Sequence, residues 1–255
     1  MHITVGADAV WAEDSGGQGE PVVLLHPGVG DSRIWNRVWP RLTPRRRAVR
    51  YDVRGYGRSA PATEPYVLVE DLNRVLDALS VNAVHLVGCS MGGATALDLA
   101  LAAPGRVRSL TLLCPAVTGY PWPPEPELDA AVERLQARGD EEALVRLSLE
   151  TWGAAGGTPE VVEQLHSASR AWPNEAAYQR PPMNLAFDRL GGVEAPTVLV
   201  VGSLDWPALI ECNEEIARRI AGCRLVRTAG VDHFPPLRIP EVIASLVLKQ
   251  TAQRR

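Results

Sequence analysis

The stretch Gly88-Cys89-Ser90-Met91-Gly92-Gly93 follows the apolar run Val84 to Val87 and opens the Ala/Leu-rich stretch Met91 to Ala103. A G-x-S-x-G pattern between a strand and a helix predicts a turn so tight that its central residue takes a strained backbone conformation. Small neighbours at 88 and 92 let strand and helix approach closely, so Ser90 stands clear at the strand's carboxyl end. The helix N-terminus behind it offers free N–H groups and the positive end of a dipole. A glycine-rich turn without chemistry carries the same pentapeptide. The rest of the chain must therefore show whether Ser90 has partners.

Outward from this turn, short β-branched runs recur at Val22 to Leu25, Ala48 to Tyr51, Ser109 to Leu113, Thr197 to Val201 and Leu225 to Arg227. Runs of this length without alternation suit strands buried on both faces of a parallel sheet. Helical patterns lie between them: Tyr66 to Leu79 carries a 3.6-residue apolar stripe, and Cys212 to Ile220 and Pro240 to Leu248 follow. Strand then helix, repeated, predicts an α/β fold with a mostly parallel central sheet flanked by helices. His2 to Ala12 supplies one or two antiparallel edge strands. The rhythm breaks from about Thr118 to Pro182, where helical patterns at Glu127 to Arg138, Glu141 to Trp152 and Pro159 to Trp172 carry no strand signal. The expected organisation is a core of residues 1–117 and 183–255 with an inserted helical cap, 118–182.

Composition narrows the function classes. Of the 255 residues, 46% are hydrophobic and 22% charged, enough apolar material for a packed core. The net charge of −4 leaves no basic surplus for neutralising phosphates, so no nucleic-acid partner is expected. All the cations except Lys249 are Arg, which reads as codon bias. No apolar run approaches the roughly 18 residues of a membrane span. Met1 to Gly6 shows no secretory pattern, so a cytoplasmic location is the expectation. Cys89, Cys114, Cys212 and Cys223 form no C-x-x-C pair and read as free, mostly buried thiols. No His/Cys/Asp cluster has metal-ligand spacing, and no metal or other cofactor is expected.

A serine nucleophile needs a base, and the base an orienting carboxylate. Asp205 follows the run Thr197 to Val201, and His233 follows Leu225 to Arg227, so both fall at the same sheet edge as Ser90. Asp232 adjoins His233 and is the poorer orienter for that reason. In type and in the chain order Ser, Asp, His, the sequence resembles the α/β-hydrolase superfamily, and the helical insertion falls where that family places its cap. The resemblance covers the whole chain and looks closest to the small esterase and enol-lactone hydrolase group. It implies a catalytic triad of Ser90, Asp205 and His233. His26-Pro27-Gly28-Val29-Gly30 stands where the family has its oxyanion loop, with Pro27 in place of the usual Gly. The family's spacing makes the N–H groups of Gly28 and Met91 the oxyanion donors, with Val29 as fallback; Pro27 has no N–H. His26 reads as a brace for this loop.

Asp52-Val53-Arg54-Gly55-Tyr56-Gly57-Arg58-Ser59 matches the family's D-x-R-G-x-G-x-S pattern and reads as structural. His85 falls mid-strand and reads as packed or half-exposed, and His166 on a cap helix as solvated. The substrate pocket is expected among Val29, Trp122, Trp152, Trp172, Trp206 and Phe234. The function expected is a serine hydrolase of a small carboxylic ester or lactone. A thioester, a carbon–carbon bond beside a carbonyl, or acyl transfer would use the same triad. A ligand-binding protein or a non-hydrolytic cyclase on this fold would keep the residues without ester turnover.

Overall fold

The computed structural model describes residues 1–252. In chain order the strands are β1 (His2–Val5), β2 (Asp8–Asp14), β3 (Val22–Leu25), β4 (Ala48–Tyr51), β5 (Val84–Cys89), β6 (Val107–Leu113), β7 (Thr197–Gly202) and β8 (Arg224–Thr228). Every residue of β3, β4, β5 and β7 is buried, which is why their sequences do not alternate. Leu86 and Leu112 face one apolar core, whereas Val87 and Leu113 face another on the opposite side of the sheet. The strand order is β1-β2-β4-β3-β5-β6-β7-β8. β1 and β2 are antiparallel to their neighbours, as expected for the first stretch, and β4 to β8 run parallel with β3 among them. The edge strand β8 is guarded by the exposed Arg224 and Arg227.

Helices α1 (Trp39–Leu42), α2 (Leu68–Ala78), α3 (Met91–Ala102), α4 (Pro126–Arg138), α5 (Glu141–Trp152), α6 (Pro159–Tyr178), α7 (Pro207–Arg219), α8 (Pro235–Arg238) and α9 (Pro240–Ala252) connect and flank the strands. The stripe of α2 buries Val69, Leu72, Val75 and Leu76. The Ala/Leu-rich α3 is buried from Gly92 to Ala100, as a helix apolar on all sides requires. Register aligns the carboxyl ends of the parallel strands: Leu25 pairs with Gly88, Cys89 with Leu113, Leu113 with Val200, and Gly202 with Thr228. The loops that follow carry His26, Ser90, Asp205 and His233 to one edge.

Between β6 and β7 the described chain holds only helices and loops. Asp140 caps α5 by accepting from the Ala143 N–H, and Thr158 caps α6 at Val161. Helix α6 runs past its predicted end at Trp172, through Pro173 to Tyr178. Proline removes one helical hydrogen bond, but the extra turn carries Asn174 and Glu175, whose side chains bond the core at Ala62 and Tyr56. Tertiary contacts thus override the local stop signal. The two ends of the excursion meet at Thr118, whose hydroxyl accepts from the Ala186 N–H at 2.9 Å and donates to Asp98 at 2.8 Å.

Burial pushes the Asp98 carboxyl up to about 6, against the lowering effect of the Thr118 bond. A carboxyl raised in the folded state binds protons there that the unfolded chain releases. Its stability contribution is therefore complete below about pH 4 and lost as pH rises towards 6. Asp98→Asn keeps an acceptor for Thr118. It is expected to raise stability at neutral pH by about 1–3 kcal/mol, with the gain vanishing below about pH 4. Urea melts of both proteins across that range decide the matter; parallel curves would exclude it.

Candidate active site

Ser90 joins β5 to α3 with φ 50° and ψ −113°, in a region that side chains rarely occupy. The packing around it shows what holds this strain. A Cβ on Gly88 would lie 2.7 Å from the Gly93 Cα, one on Gly92 2.7 Å from the Leu25 Cβ, and one on Gly93 2.6 Å from the Pro115 Cβ. Strand, helix and the neighbouring loops therefore touch backbone to backbone. The Ser90 N–H donates to the Leu113 carbonyl, and the Ser90 carbonyl accepts from Ala116. The first bond locks the turn to β6 and the second to the loop after it.

Asp205 and His233 come together from the loops after β7 and β8. His233 Nδ1 lies 3.0 and 3.1 Å from the two Asp205 oxygens, and both residues are buried. The Trp206 N–H also donates to Asp205 at 2.8 Å. Gly202 permits this meeting: a Cβ there would stand 2.6 Å from the Val231 carbonyl carbon. Asp232 is engaged elsewhere. Its carboxylate accepts from Arg238 at 2.7 and 3.0 Å, from the Ala155 N–H at 3.1 Å and from the Phe234 N–H. It ties the His233 loop to the chain after α5. The fold also gathers Cys114, Asp205 and His233 so that one ligand atom of each lies within 4.8 Å of the others, a cluster that linear spacing does not reveal. Burial raises the Cys114 thiol well above its ordinary value. Cys89 is also buried, with its sulfur 3.8 Å from that of Cys114; all four cysteines are free, and only Cys223 is partly exposed.

His26 braces its loop. Its Nε2 accepts from the Val53 N–H at 3.0 Å, so Nδ1 carries the proton and donates to the Pro27 carbonyl at 2.8 Å. In a trans peptide the Gly28 N–H points opposite to that carbonyl, so His26 sets its direction. A Cβ on Gly28 would lie 3.7 Å from Met91 Sδ, which puts the two residues expected to supply oxyanion donors side by side. The D-x-R-G-x-G-x-S segment makes structural contacts, in line with the reading of its family pattern. Asp52 accepts from the N–H groups of Ser32 and Arg58, and buried Arg54 bonds Asp71 and Asp8. His85 is buried and bonded to Ser109, and His166, only partly exposed, pairs with Glu141.

Sequence reasoning missed the straps from α6 onto the loop after β3. Gln164 Oε1 accepts from the Asp31 N–H, Ser167 donates to Asp31, and Trp172 Nε1 donates to the Gly28 carbonyl at 2.7 Å. Burial would raise the Asp31 carboxyl, but bonds from Arg33 and Ser167 hold it well below the usual range. No local pattern announces these partners, which lie more than a hundred residues apart.

The predicted pocket residues divide. Val29, Trp152 and Trp172 line one cavity of about 530 Å³, walled also by Leu128, Val132 and Leu147. Trp152 packs 4.6 Å from the His233 ring, and its carbonyl accepts from the His233 N–H. Trp206 meets Trp152 edge-on and stacks on the half-exposed Trp122, but neither Trp206 nor Trp122 lines that cavity. Phe234 is fully buried in a core cluster with Val200 and Leu209.

A model of the alpha/beta hydrolase fold matches residues 20–149. Pimeloyl-[acyl-carrier protein] methyl ester esterase of Methylococcus capsulatus is 30% identical, covering 92% of this chain and 95% of its own. Rhodomycin D methylesterase DauP of a Streptomyces species is 27% identical over 98% of this chain and 97% of its own. In structure, the enol-lactonase of Burkholderia xenovorans superposes with a TM-score of 0.80 at 21% identity, covering 99% of this chain and all of that one.

The two acids differ in what their removal does to the fold. Asp232→Ala leaves Arg238 without its buried partner and is expected to cost about 3–5 kcal/mol. Asp205→Asn keeps the acceptor for Trp206 and should lower the denaturation midpoint far less. Equal losses in guanidinium melts would contradict this division.

Proposed function

The chain belongs to the alpha/beta hydrolase family, and on that footing we propose that Ser90, His233 and Asp205 form a triad that cleaves a small carboxylic ester or lactone through an acyl-enzyme. It is a hydrolase that acts on ester bonds. The observation that carries the finer reading is the buried Asp205–His233 bond on the sheet edge where Ser90 stands at the apex of its strained turn. With Nδ1–H held by Asp205, the Nε2 of His233 is free to take the Ser90 proton as the hydroxyl attacks the carbonyl. Their hydrogen bond forms with substrate in place, as is common for sites that are loose when empty. The oxyanion meets the N–H groups of Gly28 and Met91, the first aimed by His26 and the second at the start of α3. His233 then protonates the leaving alcohol and activates the water that releases the acid.

Residues 118–182 serve as a cap over a core of 1–117 and 183–252, the expected end of the core at 255 lying outside the described residues. The cavity beneath α4, α5 and α6 suits the acyl group, since its walls combine Val29 with Trp152 and Trp172. Relatives named as methyl ester esterases support a small alcohol as leaving group. The partner is a small molecule, and among the described residues no helix is long and apolar enough to cross a membrane.

A fluorophosphonate probe should label the wild type and leave Ser90→Ala unmodified; labelling that survives the substitution would move the nucleophile elsewhere. Asp205→Asn is expected to reduce kcat on a short p-nitrophenyl ester by about 10⁴, the loss seen when a serine-protease triad loses its acid. An unchanged kcat would remove Asp205 from the triad.

Trp152→Ala and Trp172→Ala should change kcat/KM unevenly across esters of rising acyl length, while Trp122→Ala, outside the cavity, should not. Uniform losses that track the melting temperature would reduce these rings to packing.

A further inference from the structure

Glu175 sits on the last turns of α6, beyond the proline at 173, with its carboxyl against the Tyr56 hydroxyl. That hydroxyl lies 3.3 Å from the Gly28 carbonyl, which also accepts from Trp172 Nε1 at 2.7 Å. Three oxygens thus stand in a row: Glu175 Oε2, Tyr56 Oη and Gly28 O. Tyr56 has a single hydrogen. If Glu175 is a carboxylate, that hydrogen turns to it, and Tyr56 Oη faces the Gly28 carbonyl with no proton between them. If Glu175 is a neutral acid, its own O–H goes to Tyr56, and Tyr56 donates to Gly28. Only the second arrangement gives a hydrogen to both the Glu175 and the Gly28 contact of Tyr56, whose oxygen is also approached by the Trp172 indole.

The surroundings agree. Burial lifts the Glu175 carboxyl above the ordinary glutamate range, opposed by the Tyr56 bond and by His26. His26, however, accepts at Nε2 and donates at Nδ1, which is the neutral ring. Tyr66, whose buried hydroxyl has no hydrogen-bond partner, is close enough for the Glu175 carboxyl to help raise its value.

We propose that Glu175 is a positioning residue of the oxyanion loop, working as a neutral acid that donates to Tyr56, which in turn donates to the Gly28 carbonyl. With His26 on the Pro27 carbonyl, both peptides that flank the Gly28 Cα are then held, and the direction of its N–H is set. The row also links the cap to the loop: Trp172 and Glu175 reach Gly28 from one face of α6, so seating of the cap and orientation of the donor are one event. The catalytic consequence rests on the serine-hydrolase reading; the position of the proton does not.

Two measurements test it. In the infrared difference between wild type and Glu175→Gln at neutral pH, far above the ordinary glutamate value of about 4.3, the wild type should show the C=O stretch of a protonated acid. A carboxylate band there overturns the proposal, whatever the enzyme hydrolyses. In ester turnover, Glu175→Gln retains a donor for Tyr56 and should keep most of the wild-type kcat. Glu175→Ala and Tyr56→Phe should lose about 10-fold in kcat with little change in KM, the scale of effect expected from a small misplacement of a reacting group. Glutamine as damaging as alanine, or a Tyr56→Phe protein as fast as wild type, also overturns it. A wild type that fluorophosphonate does not label sinks the hydrolase reading alone, and the infrared band still decides the proton.

Discussion

The contact between β5 and α3 governs everything at the carboxyl edge of this sheet. Strand and helix approach until no side chain fits at 88, 92 or 93, and the residue between them is forced to a positive φ. A serine in this conformation is unfavourable by itself. It persists because the bonds from Ser90 to Leu113 and Ala116 and the packing of Leu25 and Pro115 over-determine it. The strain stays local, and the hydroxyl it exposes lies at the start of a helix, where N–H groups have no helical partners.

A second close approach makes the other half of the site. Gly202 lets the loop after β7 touch the loop after β8, and the Leu204 N–H donates to the Val231 carbonyl at 2.9 Å. Asp205 and His233 are therefore set by backbone contacts before their side chains meet. Asp232, one residue away, is as buried as Asp205, yet it bonds a guanidinium and the backbone after α5. The two acids thus divide: Asp205, on the loop after β7, faces the imidazole, and Asp232, on the loop after β8, moors that loop.

The helical segment is fastened to the core by polar bonds as well as by apolar burial, for α6 places Val161, Leu165, Ala168 and Ala171 in the core clusters. Helix α4 buries none of its residues, and α6 reaches the loops after β3 and β4 through Gln164, Ser167, Trp172, Asn174 and Glu175. Such bonds are directional, so they specify where the helix sits while adding modest net stability.

The amino-acid sequence by itself determined the alternation of strands and helices, the elbow at Ser90 and the edge to which Asp205 and His233 belong. These follow from periodicity, glycine placement and chain order, all of which act over a few residues. It also announced the helical excursion after β6 by the absence of strand signals. Only the tertiary structure decided how α6 continues through Pro173, because the bonds that hold its last turn come from Ala62 and Tyr56. It alone separated Val29, Trp152 and Trp172, which share a cavity, from Phe234, which is buried in the core. An aromatic ring is apolar in both settings. The side on which it is covered depends on segments a hundred residues distant, and a local pattern carries no record of where those segments fold back.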